Sequence, residues 1–224
     1  MPYLVLVRHG ESKWNKKGLW TGWTDIDLDE EGRQKSRDAG HSVTDISFQI
    51  AFTSKLKRAK ETLREMKTQL RNQDFEIVEN SALNERDYGD LTGKNKWEIR
   101  KKVGVKTFLK IRRSWDFPVP GGESLKDVYD RVVPYYQKEI EPHLFWGDNV
   151  LIVAHGNSLR ALVKYLEGIS DRNIPQLEIA TGEVDVYQLD DKGKIIGKEV
   201  KNTSLGWRLE LLIREAGQFL KHLH

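Results

Sequence analysis

Tyr3-Leu4-Val5-Leu6-Val7-Arg8-His9-Gly10-Glu11-Ser12 opens the chain, and its plan returns at Ile152-Val153-Ala154-His155-Gly156-Asn157-Ser158. Each stretch is a compact apolar run ending in His-Gly, then a polar residue and Ser, before a helical pattern begins. Each places a histidine at the carboxyl end of a buried strand, with a glycine expected to let the backbone turn tightly. In open α/β sheets ligands sit outside those strand ends. Helix N-termini there offer unpaired N–H groups and a positive dipole end, suited to phosphate. One strand-end histidine is commonplace. Two in the same context, one preceded by Arg, point to a site.

Working outward, residues 48–53, 75–78 and 149–154 read as further short apolar strands. Residues 184–189 and 194–200 flank Asp190-Asp191-Lys192-Gly193, a hairpin signal. Helical patterns fill the gaps: 30–43 as a mainly solvated face, 55–70, 124–140 after a Gly-Gly turn, and 157–167. Strands alternating with helices predict an α/β fold of three layers, a mostly parallel central sheet with helices on both faces. No repeat or linker interrupts residues 1–200, read as a single domain, and residues 201–224 read as a C-terminal helical tail. Leu209, Leu212, Ile213, Ala216, Phe219, Leu220 and Leu223 carry its stripe.

Composition removes several function classes. Of 224 residues 38% are hydrophobic, enough for one sizeable core. Lys+Arg 37 against Asp+Glu 34 leaves a net charge of only +3, which argues against a general nucleic-acid binder. Cysteine is absent, so disulfides, thiolate metal sites and cysteine nucleophiles are excluded. No apolar run approaches the roughly 20 residues that span a bilayer, and no leader pattern precedes the first strand. A cytoplasmic protein is expected. Asp25-Ile26-Asp27-Leu28-Asp29 alternates acids like a calcium loop, but Glu30 stands where the glycine belongs. No paired-His spacing suggests zinc, and His41, His143, His222 and His224 are read as surface residues. The seven tryptophans are read mostly as core or pocket walls.

The residues near the turns support phosphoryl transfer. A neutral imidazole can attack phosphorus and hold the group as a phosphoramidate. The transferring group spreads charge over its oxygens, so positive charge and positioning do most of the work. Arg8 adjoins His9, and Arg58 falls in the first turns of the helix after the second strand, at the same sheet end. Guanidinium forks suit phosphate oxygens. Glu85, in a Gly-punctuated loop after a strand, is the candidate general acid, although a lone glutamate is more often a surface residue.

Arg8-His9-Gly10-Glu11-Ser12 resembles the signature of the histidine phosphatase superfamily. Trp20-Thr21-Gly22-Trp23-Thr24-Asp25, Leu83-Asn84-Glu85-Arg86-Asp87-Tyr88-Gly89-Asp90-Leu91-Thr92-Gly93 and Ala154-His155-Gly156-Asn157-Ser158-Leu159-Arg160-Ala161-Leu162 narrow the likeness to the 2,3-bisphosphoglycerate-dependent phosphoglycerate mutases. The resemblance implies the phosphoglycerate mutase-like fold and interconversion of 3- and 2-phosphoglycerate, in glycolysis and gluconeogenesis, with 2,3-bisphosphoglycerate as phosphoryl primer and no metal. It implies His9 as the phosphorylated nucleophile and Glu85 as proton donor and acceptor. Arg8, Arg58 and His155 would bind the group in flight. Ser12, Asn15, Thr21 and Gly22 would form one wall, with Gly156 and Asn157 adding contacts. Tyr88, Lys96, Arg112 and Arg113 would clamp the second phosphate and the carboxylate. Without that context the basic run 94–102 reads as a solvated helix face.

Three departures from the family stand out. Ser114-Trp115-Asp116-Phe117-Pro118-Val119-Pro120 is short where many members carry an insertion, so a homo-oligomer is allowed but not specified. Glu183 and Asp185 replace apolar residues and are read as an exposed sheet edge; facing the pocket, they would oppose anionic ligands. The tail is the third. The alternative function is a phosphatase of the same superfamily, in which water takes the group from His9; a non-catalytic phospholigand-binding protein is disfavoured by intact His9, Glu85 and His155.

Overall fold

The computed structural model describes residues 1–201. Six strands form one sheet: β1 (Tyr3–Arg8), β2 (Ile50–Thr53), β3 (Glu76–Glu79), β4 (Val150–Ala154), β5 (Val184–Leu189) and β6 (Ile195–Lys201). Their order is β3-β2-β4-β1-β5-β6. β1, β4, β2 and β3 pair in parallel, while β5 runs antiparallel to both β1 and β6. The expected mostly parallel sheet is therefore present, with the 190–193 hairpin joining its last two strands.

Helices α1 (Lys13–Lys16), α2 (Glu30–His41), α3 (Lys57–Lys67), α4 (Lys96–Arg113), α5 (Leu125–Tyr135), α6 (Glu141–Phe145) and α7 (Gly156–Glu167) complete the described fold. Side chains alternate along each strand, so one face of the sheet buries Leu4, Leu6, Phe52 and Ile152 against α5, α6 and α7. The other buries Val5, Val7, Ala51 and Val153 against α2 and α3. β4 is buried along its whole length, as a strand covered on both faces must be. A smaller cluster of Trp20, Ile99, Phe108, Ile111 and Val119 anchors α4 beside the sheet. Gly104 breaks that helix with φ 78°, a left-handed value that glycine adopts freely. Helix 124–140 is likewise not continuous: Pro134 cannot donate its hydrogen bond, and a π turn over Tyr136–Ile140 follows.

Several expectations need correction. β3 is an exposed edge strand, with Ile77 42% exposed, because only β2 pairs with it. β5 is not an edge: Asp185 is 3% exposed, facing the α7 layer beside Lys198 at 3.3 Å. The Glu183 carboxylate accepts from the Ala180 N–H at 2.9 Å. Neither acid lines the cavity described below. Of the described tryptophans only Trp20 is fully buried, while Trp23 is 45% and Trp146 73% exposed. His41 is exposed, and His143 is half-buried with Asp148 at 2.9 Å. His222, His224 and the tail lie outside the described residues. Among the described residues no helix is long and apolar enough to cross a membrane.

Candidate active site

The parallel register sets Arg8 opposite Ala154, so the residues that follow, His9 and His155, emerge side by side at one sheet end. Their ring centroids lie 4.9 Å apart. Each glycine is followed by the expected tight turn, although neither has a positive φ. Gly10 is needed for close approach instead: a Cβ there would collide with the carbonyl of Gly32 in α2, whereas one on Gly156 would make only an ordinary contact, 3.4 Å from the Arg8 guanidinium.

His9 Nδ1 lies 2.7 Å from the Gly10 carbonyl, which can only accept, so Nδ1 carries the proton and Nε2 keeps its lone pair. Burial, with Arg58 and Arg8 nearby, pushes the His9 imidazole well below its ordinary pKa. His155 is fully buried and pushed down by burial, Arg58 and His9. Its Nε2 meets Ser54 Oγ at 2.7 Å, and its Nδ1 has no protein partner. Both shifts favour the neutral ring.

Two arginines flank them. Arg8 Nη1 donates to the Ile179 carbonyl at 2.6 Å. Arg58, in the first turn of α3, donates to the carbonyls of Gly22 at 2.8 Å and Thr24 at 3.0 Å. Burial lowers its pKa to about 10, which leaves it charged. Glu85, 8% exposed, is an enclosed acid and not a surface glutamate. Its Oε1 accepts from the Arg86 N–H at 2.6 Å and from Asn157 Nδ2 at 2.9 Å. Asn157 Nδ2 also donates to the Tyr88 hydroxyl at 2.9 Å, tying Glu85 to the start of α7.

One cavity gathers Arg8, His9, Asn15, Thr21, Arg58, Glu85, Tyr88, Lys96, Arg112, Arg113, Gly156 and Asn157 on its wall. Burial, with Arg112 and Arg8 adding repulsion, lowers the Lys96 ammonium to about 7. Three expected residues stand behind the wall. Ser12 caps α1 and donates to Asn15 Oδ1 at 2.6 Å, Gly22 holds Arg58, and His155 lies beneath His9. Thr21 Oγ1 and Arg8 Nε are buried at the cavity without protein partners. Buried donors of this kind suit an anionic ligand's oxygens.

Sequence reasoning missed Trp20, Arg160, Glu178 and Ile179 on the wall, and Ser54 behind it. Trp20 and Arg160 sit inside the quoted motifs, and Arg160 Nη1 donates to Asn157 Oδ1 at 3.0 Å one helical turn away. That i, i+3 spacing was a usable signal. Ser54 and Glu178 have none.

Comparison with known proteins agrees with this geometry. The histidine phosphatase superfamily (branch 1) profile matches residues 4–200. A 2,3-bisphosphoglycerate-dependent phosphoglycerate mutase of Parvibaculum lavamentivorans is 52% identical over 199 residues, covering 88% of this chain and 95% of that protein. A phosphoglycerate mutase of Schizosaccharomyces pombe is 47% identical over 199 residues, covering 88% and 94%. Among solved structures, Bacillus stearothermophilus YhfR matches with a TM-score of 0.78 at 27% identity, covering 91% of this chain and 98% of that one. Mycobacterial glucosyl-3-phosphoglycerate phosphatase shares the fold, with a TM-score of 0.76 at 23% identity over 90% and 98%. Paired buried histidines at the strand ends, a cationic cavity and these relatives agree: the chain belongs to the histidine phosphatase superfamily and, within it, to the 2,3-bisphosphoglycerate-dependent phosphoglycerate mutases.

Proposed function

We propose that this enzyme interconverts 3-phosphoglycerate and 2-phosphoglycerate by holding a phosphoryl group on His9 Nε2. The observation that carries the reading is the Nδ1 contact of His9 with the Gly10 carbonyl, inside a cavity walled by Arg8, Arg58, Lys96, Arg112 and Arg113. 2,3-Bisphosphoglycerate supplies the phosphoryl group that primes His9.

His9 then delivers that group to the free hydroxyl of a monophosphoglycerate. The N–P bond breaks as the O–P bond forms, and Glu85 takes the hydroxyl proton. In the return half-reaction His9 Nε2 attacks the phosphorus on the neighbouring carbon, and Glu85 returns the proton to the leaving oxygen. Arg8, Arg58 and the His155 ring stabilise charge on the equatorial oxygens. Asn15, Thr21, Gly156 and Asn157 orient the substrate, with Ser12 and Gly22 holding that wall in place. Tyr88, Lys96, Arg112 and Arg113 hold the second anionic end, and this clamp favours the mutase over a phosphatase, which has no need to keep its product through a reorientation. A cytoplasmic setting belongs to the same reading, because its substrates are glycolytic metabolites.

The test compares conversion of 3- to 2-phosphoglycerate with release of inorganic phosphate, with and without 2,3-bisphosphoglycerate. Interconversion stimulated by the bisphosphate is expected. Phosphate release without interconversion would assign the site to a phosphatase.

A further inference from the structure

Among the described residues, Glu178 is the one carboxylate besides Glu85 on the cavity wall. Its Oε1 accepts a 2.8 Å charge-assisted hydrogen bond from Arg113 Nη2, at the far end of α4. Burial alone would raise this carboxyl, but Arg113, then Arg112 and Arg8, hold it below its usual range. The segment that bears it is fastened to the catalytic strand. Arg8 Nη1 donates to Ile179 O, the Gly182 N–H donates to Arg8 O at 2.9 Å, and Thr181 Oγ1 donates to Glu11 at 3.2 Å. The acid is thus held in place in a cavity otherwise built to attract anions.

We propose that Glu178 is an internal counter-ion, which occupies Arg113 in the ligand-free enzyme and competes with the anionic end of the substrate for that guanidinium. The inference takes its ligand from the phosphoglycerate reading above. A wall of Arg8, Arg58, Lys96, Arg112, Arg113 and Arg160 without such an acid would bind a multiply charged product tightly and release it slowly. Glu178 tempers that affinity at one end of the cavity, which makes it a specificity-determining residue acting through Arg113.

E178Q removes the charge and keeps an oxygen for Arg113. In the full chain, the Kd of 3-phosphoglycerate from calorimetry and its KM should both fall about three- to fivefold, the range of a partly exposed ion pair. In an R113A background, where only the weaker fields of Arg112 and Arg8 remain, the same substitution should lower both by less than half as much. An unchanged or raised Kd in E178Q would overturn the inference, because Glu178 would then be a prop that orients Arg113. An equal fall in the R113A background would overturn it too. Should E178Q unfold at assay temperature, E178A is measured against the same expectations. Calorimetry does not need turnover, so the two readings fail separately. Tighter binding without interconversion would remove only the mutase reading, and interconversion with a Kd blind to Glu178 only this one.

Discussion

The rings of His9 and His155 meet at a tilt of 59° with centroids 4.9 Å apart, although one follows β1 and the other β4. For two imidazoles this close, walled in beside Arg8 and Arg58, the second proton that would make either ring an imidazolium is disfavoured. The pair is held neutral by its surroundings, which is the state a nitrogen nucleophile needs.

His9→Ala should therefore abolish covalent labelling by 32P-bisphosphoglycerate and lower kcat by at least about 10³-fold. In the wild type the label should be lost in acid and survive in base, as a phosphoramidate is. An acid-stable label would exclude phosphohistidine chemistry.

Ser54→Ala leaves His155 Nε2 buried without a partner. Such a loss costs roughly 1–3 kcal/mol, part of it felt in ring orientation. A drop in kcat of about tenfold is expected, with KM for 3-phosphoglycerate changing less; steady-state kinetics on the two forms checks the split. A pure rise in KM would mean that Ser54 does not act through the ring beneath His9.

Lys96 gives the site a pH limb. Its ammonium is lowered to about 7, so the charged form prevails below that pH and is lost as pH rises through it. An anionic substrate favours the charged form, so KM should rise between about pH 7 and 9 while kcat moves less. In Lys96→Arg the cation persists across this range and the rise should flatten. Identical KM profiles for the two enzymes would remove Lys96 as the titrating group.

Gly32 is closed to any larger residue, because a Cβ there would strike the backbone of Glu11. Gly32→Ala should destabilise by about 1–3 kcal/mol, the usual range for overpacking. Thermal unfolding should then shift down by roughly 3–10 °C. The displaced turn carries His9, so activity at low temperature should fall as well, measured on protein that remains folded by circular dichroism.

Local pattern made β1, β4 and the two His-Gly turns readable, because both strands are buried on each face and read as unbroken apolar runs. Arg58 was placed by the same logic, one turn into the helix after β2. Long-range pairing was not readable. Asp185 looked like an edge residue because its neighbours in sequence say nothing of Lys198 across the hairpin or of β6 beyond it. Gly10 was readable as part of a turn, but its demand for close approach comes from a distant element, α2, which local spacing does not reveal. Ser54 and Glu178 belong to the site only through contacts with His155 and Arg113, which no spacing announces.

Arg58 spends two of its N–H groups on the carbonyls of Gly22 and Thr24. The same guanidinium thus anchors the loop 20–24 and, in the proposed reaction, would supply field to the reacting phosphorus. A lysine there would conserve the charge and slacken the anchor, so loop order and electrostatic support are welded into a single side chain that neither requirement can reshape alone.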